Sequence, residues 1–257
     1  MKITINSMMS LLLALFVLNA CAQQKEDAQP MESENNTLSQ AEIDEGWMLL
    51  FDGETTSGWR GFQIETFPNA WNIDDEAIHI QGSGRGELGN TEGGDIVYDR
   101  IFSDFHFKVE WKVAEGANAG IFYRGSEDPQ YDYIWKSAPE MQVLDNVNHP
   151  DAALGKNGNR QAGSLYDLIP ADPQNANPFG EWNSAEVIAR GTNVQHIQNG
   201  EVVVEYTIGS ERMKALIADS KWPSINENWG DLATEGIIGL QDHGDDVWFR
   251  NIKIKEL

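Results

Sequence analysis

The residues His106-Phe107-Lys108-Val109-Glu110-Trp111-Lys112-Val113 alternate polar and apolar without a break. A period of two puts Phe107, Val109, Trp111 and Val113 on one face of a strand and the charged set on the other, so this stretch requires a sheet with one buried face and one wet face. Shorter segments repeat the pattern. Trp71-Asn72-Ile73 and Ala77-Ile78-His79-Ile80 flank an acidic turn, and residues 194–198 meet Val202-Val203-Val204 across Asn199-Gly200, the strongest short-range hairpin signal. Helical signal is confined to a turn over residues 211–219. Many short strands with turn cues between them predict an all-β fold of two packed antiparallel sheets, and the pattern does not choose between a plain sandwich and a jelly roll. No fixed repeat and no Pro/Gly/Ser linker interrupts the chain after Gly46, which predicts one domain over residues 46–257.

Ahead of that domain, Lys2 and an apolar run over residues 11–18 read as a secretory signal over residues 1–20, the run being too short to span a membrane. Cys21 is the only cysteine of the chain and follows Leu18-Asn19-Ala20 directly, which resembles a bacterial lipoprotein box with Cys21 as the lipidated residue. An incidental cysteine after an ordinary signal is the alternative. Residues 21–45 are polar and acidic and read as a disordered tether, and Lys25-Glu26-Asp27 is similar to the sorting signal of Bacteroidota surface lipoproteins. The expected location is therefore the cell envelope, lipid-anchored at the outer membrane, with the N-terminal lipid as the only membrane contact. With one cysteine the domain forms no internal disulfide and depends on its core. A formal net charge of −23 argues against nucleic acid and against basic-patch binding to anionic lipid, while a neutral sugar is indifferent to it.

Two segments hold the densest polar chemistry. In the tail, residues 237–240 and 248–254 read as strands joined by a corner carrying Gln241, Asp242 and His243, where a rigid scaffold presents binding groups. In Glu140-Met141-Gln142-Val143-Leu144-Asp145 the strand period puts Glu140 and Gln142 on one face, expected to be the exposed side of a sheet, as an acid/base group beside a hydroxyl reader. Alternation from Gly120 places Arg124 to brace Glu140 as an ion pair, which would favour Glu140 as a base. Of the five histidines, His79 and His106 are explained as surface positions of strands, whereas His149, His196 and His243 are site candidates. No clustered-cysteine or His-x-x-x-His pattern exists for structural zinc. Asp145, His149, Asp151, Asp242 and His243 remain candidates for a divalent metal ion if folding joins their loops. Gly82-Ser83-Gly84-Arg85-Gly86 opens no helix and reads as a flexible loop, not a nucleotide site.

Six groups of residues carry a resemblance to a known family. They are Gly46-Trp47-Met48-Leu49-Leu50-Phe51-Asp52-Gly53 with Gly58-Trp59; Asn118-Ala119-Gly120-Ile121-Phe122-Tyr123-Arg124-Gly125; residues 140–145 with His149-Pro150-Asp151-Ala152; Ala162-Gly163-Ser164-Leu165-Tyr166-Asp167; Gly180-Glu181-Trp182-Asn183 with His196 and Asn199-Gly200; and the tail. In this order they resemble the motifs of the 3-keto-disaccharide hydrolase family. The resemblance implies a concanavalin-A-like jelly-roll sandwich whose concave face takes an oligosaccharide or glycoside. It also implies cleavage of 3-keto-glycosides by C2 deprotonation and elimination, with or without rehydration. Under it Glu140 or His149 is the base, Arg124 and His243 support charge, and His196 or Tyr166 binds or protonates, with Gln142 and Gln241 contacting the sugar. Nine tryptophans and six tyrosines suit sugar stacking, although most such rings belong to a core. A surface glycan-binding lipoprotein without catalysis, or a laminarinase-type glycoside hydrolase, are the rival readings. Against the latter, Glu140-Met141-Gln142 has no second acid two residues on.

Overall fold

The computed structural model describes residues 34–82 and 93–257. The export segment, Cys21, the first part of the tether and most of the glycine loop lie outside the described residues. Thirteen strands follow in chain order: β1 (Met48–Leu49), β2 (Trp59–Gly61), β3 (Trp71–Asp74), β4 (Ala77–Ile80), β5 (Ile96–Tyr98), β6 (Phe105–Val113), β7 (Asn118–Gly125), β8 (Glu140–Leu144), β9 (Asn183–Arg190), β10 (Asn193–Gln198), β11 (Glu201–Thr207), β12 (Ile237–Leu240) and β13 (Val247–Glu256). Helices are short: α1 (Gln40–Asp44), α2 (Glu211–Ala218) and α3 (Trp222–Ile225).

The larger sheet runs β11-β10-β9-β6-β13-β4-β3 with β1 also on β13, the smaller β2-β5-β12-β7-β8, and the pairings within both are antiparallel. This is the all-β jelly-roll sandwich that was expected. β6 alternates buried and half-buried along its whole length, as its sequence demands. Its partner β9 does the same until it ends at exposed Arg190. Phe107, Val109, Trp111 and Val113 meet Ile121, Tyr123, Met141 and Val143 of the smaller sheet in one core. The Asn199-Gly200 turn joins β10 to β11 with both residues at positive φ, the geometry that matches strand twist in a tight hairpin.

β8 departs from the half-wet pattern, for all five of its residues are buried. Its outer edge is closed by residues 163–166: Gln142 N–H donates to Ser164 O (3.1 Å), Gly163 N–H to Gln142 O (2.8 Å) and Tyr166 N–H to Glu140 O (3.1 Å). Glu140 and Gln142 do share a face, but both side chains are buried and not exposed.

His196 is also inside the core. It is fully buried on β10, its Nε2 is 2.7 Å from the Tyr123 hydroxyl and its Nδ1 3.0 Å from Gly163 O. The carbonyl fixes the proton on Nδ1, so Nε2 accepts from Tyr123, whose oxygen is left to accept from Tyr206 at 2.8 Å. Burial drives the imidazole pKa from 6.5 down to about 4. His196 therefore ties the two sheets together as a neutral core residue, which corrects its assignment as a sugar contact.

Residues 34–45 correct the tether. Ser39 and Glu42 close a capping box on α1, and Asn36 is buried. Asn36 N–H donates to Asn251 Oδ1 (2.6 Å), Asn251 N–H donates back to Asn36 Oδ1 (2.8 Å), and Asn36 Nδ2 reaches Glu76 O (2.8 Å). Lys253 pairs with Glu42 and Lys255 with Glu45. Polar composition concealed this docking because hydrogen bonds and ion pairs, not apolar burial, hold the segment.

Asn36→Ala should cost about 1–3 kcal/mol, the penalty of leaving buried backbone partners unpaired, read as a lower urea midpoint at unchanged slope. His196 gives a pH dependence. Its folded pKa lies below its unfolded value, so the unfolded chain binds the extra proton and stability falls as pH drops from 6.5 towards 4, by about 3 kcal/mol from this group. Denaturation across that window should show a clearly shallower slope in His196→Gln than in the natural protein.

Candidate active site

A cavity of about 430 Å³ is lined by Asn118 of β7, Glu140 and Gln142 of β8, the polar side chains Gln241, His243, Tyr166 and Lys221, and the aromatic and apolar side chains Tyr133, Trp135, Trp222 and Ile225. In the β7–β8 register Gly120 stands opposite Gln142 and Phe122 opposite Glu140. A Cβ at Gly120 would overlap Glu140 Oε1, so glycine is what lets the carboxylate lie across β7. The oxygens Asn118 Oδ1 and Gln142 Oε1 are buried and accept no hydrogen bond. Orphaned acceptors on a cavity wall call for a ligand that brings donors, as a polyol does.

The tail corner folds as alternation requires. Gln241 N–H donates to Gly120 O (3.0 Å), sending the Gln241 and His243 side chains into the cavity. Asp242 turns beneath: its carboxylate accepts from Gly94 N–H (2.7 Å) and Gly244 N–H (2.9 Å), and burial pushes its pKa up. Asp145 is likewise consumed, accepting from the backbone of Gly116, Val147 and Asn148 and from the Asn148 amide. Asp151 accepts from Arg160 (2.8 Å) and the Tyr166 hydroxyl (2.8 Å). These three aspartates of the expected metal set are therefore structural.

His149 does not line the cavity; it stands beside His243, ring centroids 5.8 Å apart and nearly perpendicular. It caps a short turn, with its Nδ1 accepting from Asp151 N–H at 3.2 Å. Burial, then the neighbouring His243, lowers its pKa, keeping it neutral. His149, His243 and Asp245 offer ligand atoms that all lie within 4.8 Å of one another. Two imidazoles and a carboxylate suit a divalent transition ion with open coordination positions. Ligation through His149 Nε2 moves the ring proton to Nδ1 and gives up the cap.

Arg124 is elsewhere. Its φ of 56° at a bulge where β7 pairs with β12 breaks the alternation and turns the side chain between the sheets. There it donates to Ser103 O (3.1 Å) and lies 3.6 Å from Asp104, so it does not brace Glu140 and does not touch the cavity. Sequence reasoning missed Lys221, Asp245 and the aromatic wall. Asp245 lies two residues beyond His243 in the tail, whereas Lys221 and Trp222 sit in no alternating run or motif.

Comparisons with known proteins identify the family. Residues 46–255 match the model of a 3-keto-alpha-glucoside-1,2-lyase-like domain. The chain is 45% identical to a 3-keto-disaccharide hydrolase of Bacteroides thetaiotaomicron, over 95% of this chain and 96% of that one. A crystal structure of a Parabacteroides distasonis protein, provisionally assigned as a glycosyl hydrolase, superposes with a TM-score of 0.75 at 31% identity, covering 87% of this chain and all of that one. A second from the same organism gives 0.57 at 25% identity, over 77% and 99%. The chain belongs to the 3-keto-disaccharide hydrolase family.

Proposed function

We propose that the protein cleaves 3-keto-glycosides by removing the C2 proton and expelling the C1 substituent. The observation that carries this reading is a cavity with one carboxylate, Glu140, beside two unpartnered amide oxygens and an aromatic wall. Hydrolysis of an unoxidised glycoside needs a second carboxylate facing the first, and no other lines this cavity among the described residues. A ketone at C3 removes that need because it acidifies the C2 hydrogen. Glu140 takes that proton, the electron pair enters the C2–C3–O system as an enolate, and its return expels the C1 oxygen. The proton held by Glu140 passes to the departing oxygen, restoring the carboxylate. Water added across the resulting enone gives net hydrolysis, and release of the enone gives a lyase outcome. Asn118 and Gln142 accept from sugar hydroxyls, and Tyr133, Trp135 and Trp222 offer apolar surface to the ring.

His149, His243 and Asp245 hold a divalent ion in this proposal, and the ion when bound supplies Lewis acidity at a sugar oxygen beside His243. This takes the place of a directly protonating His243 and leaves His149 outside substrate contact. The export segment and Cys21 support a lipid-anchored enzyme of the outer membrane, and Cys21→Ser should abolish metabolic palmitate labelling of the expressed chain.

Glu140→Gln should lower aglycone release from a 3-keto-glucoside by at least about tenfold, the low end for losing a proton-transfer group. Rates within twofold of the natural enzyme would refute the base. Binding of such a glycoside without consumption, with or without added metal, would instead favour a binding module. His243→Ala and Asp245→Asn should each weaken Mn²⁺ binding by at least about tenfold in titration calorimetry, in the range of altered metal shells. Equal affinity in both variants would remove the ion from this cluster.

A further inference from the structure

Among the described residues, Lys221 is a cation lining the cavity that has no carboxylate paired to it. In a chain with 41 acidic and 18 basic residues, carboxylates are plentiful, and Lys108, Lys136, Lys156, Lys214, Lys253 and Lys255 all pair with one. Among the described residues Lys221 Nζ has none within 4.0 Å. It donates instead to the Tyr166 hydroxyl oxygen at 3.1 Å and rests 4.3 Å from the Tyr166 ring centroid and 5.1 Å from that of Trp222.

The surroundings hold it there. Tyr166 gives its own proton to Asp151 (2.8 Å), so its oxygen faces Lys221 purely as an acceptor. Arg160 bridges Asp151 (2.8 Å) and Asp167 (2.6 Å), and Asp167 accepts the backbone N–H of Lys221 (3.2 Å). A closed ring of side chains thus aims one ammonium into the cavity with N–H groups to spare, since an ammonium carries more donors than Tyr166 accepts. Burial lowers the Lys221 pKa and the Arg160 charge adds to it, while Glu140, Asp167 and Asp151 act in the opposite sense. Glu140 and Lys221 line the same cavity.

We infer that Lys221 is a catalytic residue whose ammonium donates to the C3 ketone oxygen and takes up its charge as Glu140 removes the C2 proton. C2 and C3 are adjacent, so base and cation must address neighbouring positions of one ring within one cavity, and Glu140 and Lys221 both line it. In the ground state the ammonium meets a carbonyl dipole and in the enolate a full charge, so the contact strengthens towards the transition state. Arg160 acts through Asp151 and Asp167 as a positioning residue. This inference rests on the 3-keto-glycoside reading.

The test uses the purified enzyme in two assays: aglycone release from a 3-keto-glucoside, and exchange of the C2 hydrogen with D₂O in 3-keto-1,5-anhydroglucitol, which has no leaving group. Lys221→Met should lower kcat by roughly 10²–10³ with KM changed less than about threefold, the loss expected for a preorganised donor to an oxyanion, and should slow exchange in parallel. Lys221→Arg should recover at least about tenfold over the Met variant because it restores the charge. If the Met variant does not fold, as judged by its thermal transition, Lys221→Gln replaces it, with at least about tenfold loss expected. Folded Met or Gln variants with exchange and kcat within about threefold of the natural enzyme would overturn the inference and leave the substrate reading intact. A natural enzyme that releases no aglycone would overturn both.

Discussion

Glu140 and Gln142 are buried on one face of β8 and line the cavity, and the site depends on that constraint. Residues 163–166 close the β8 edge with three backbone hydrogen bonds, and the same closure sets Tyr166 beside Glu140. On an ordinary outer sheet face the carboxylate, the amide and the lysine would each be hydrated, and their charges screened. Among the described residues, Asn118 Oδ1 and Gln142 Oε1 are two of seven buried side-chain atoms without a hydrogen-bond partner, and both belong to residues that line the cavity.

A second consequence of the packing is the division of labour among the acids. Asp145, Asp151 and Asp242 each spend their oxygens on backbone or on Arg160 and Tyr166, and so stiffen the loops that present His149, Tyr166 and His243. Mobile loops could not hold two imidazoles and the Asp245 carboxylate within 4.8 Å. The acidic composition reads in the sequence as surplus charge, and much of it here is loop scaffolding.

How much of this the sequence revealed follows from the range of each signal. Period-two alternation is local, so β6, the β10–β11 hairpin and the tail corner with Gln241 and His243 pointing one way and Asp242 the other were all legible. Arg124 was misread because a single positive φ reverses the face from that residue on, and nothing in Tyr123-Arg124-Gly125 announces the bulge. His196 was misread for another reason. Alternation gave its strand but not which face met the second sheet, and a buried histidine satisfied by Tyr123 and Gly163 looks in sequence like an exposed one. Lys221 and Trp222 come to the cavity from about eighty residues beyond Glu140 on a short helix start, a long-range placement that no local pattern encodes.

The aromatic wall is built from rings that hold one another in place. Tyr133 stacks on Trp135 (5.4 Å) and Trp222 on Trp229 (4.4 Å), while Trp229 Nε1–H donates to Trp135 O (2.9 Å). The rings are thus set before a ligand arrives, and little ordering is left to oppose binding. On the 3-keto reading the substrate itself brings the activating carbonyl, so the protein must add only a base over C2 and a charge at the C3 oxygen. Both can be single side chains on walls that the binding site already needs. A direct glycosidase would have to place a second carboxylate close to Glu140, where each ion would raise the other's pKa inside a poorly hydrated cavity. On the 3-keto reading no second carboxylate is needed, and Lys221 and the amides of Asn118 and Gln142 line the cavity with Glu140 instead.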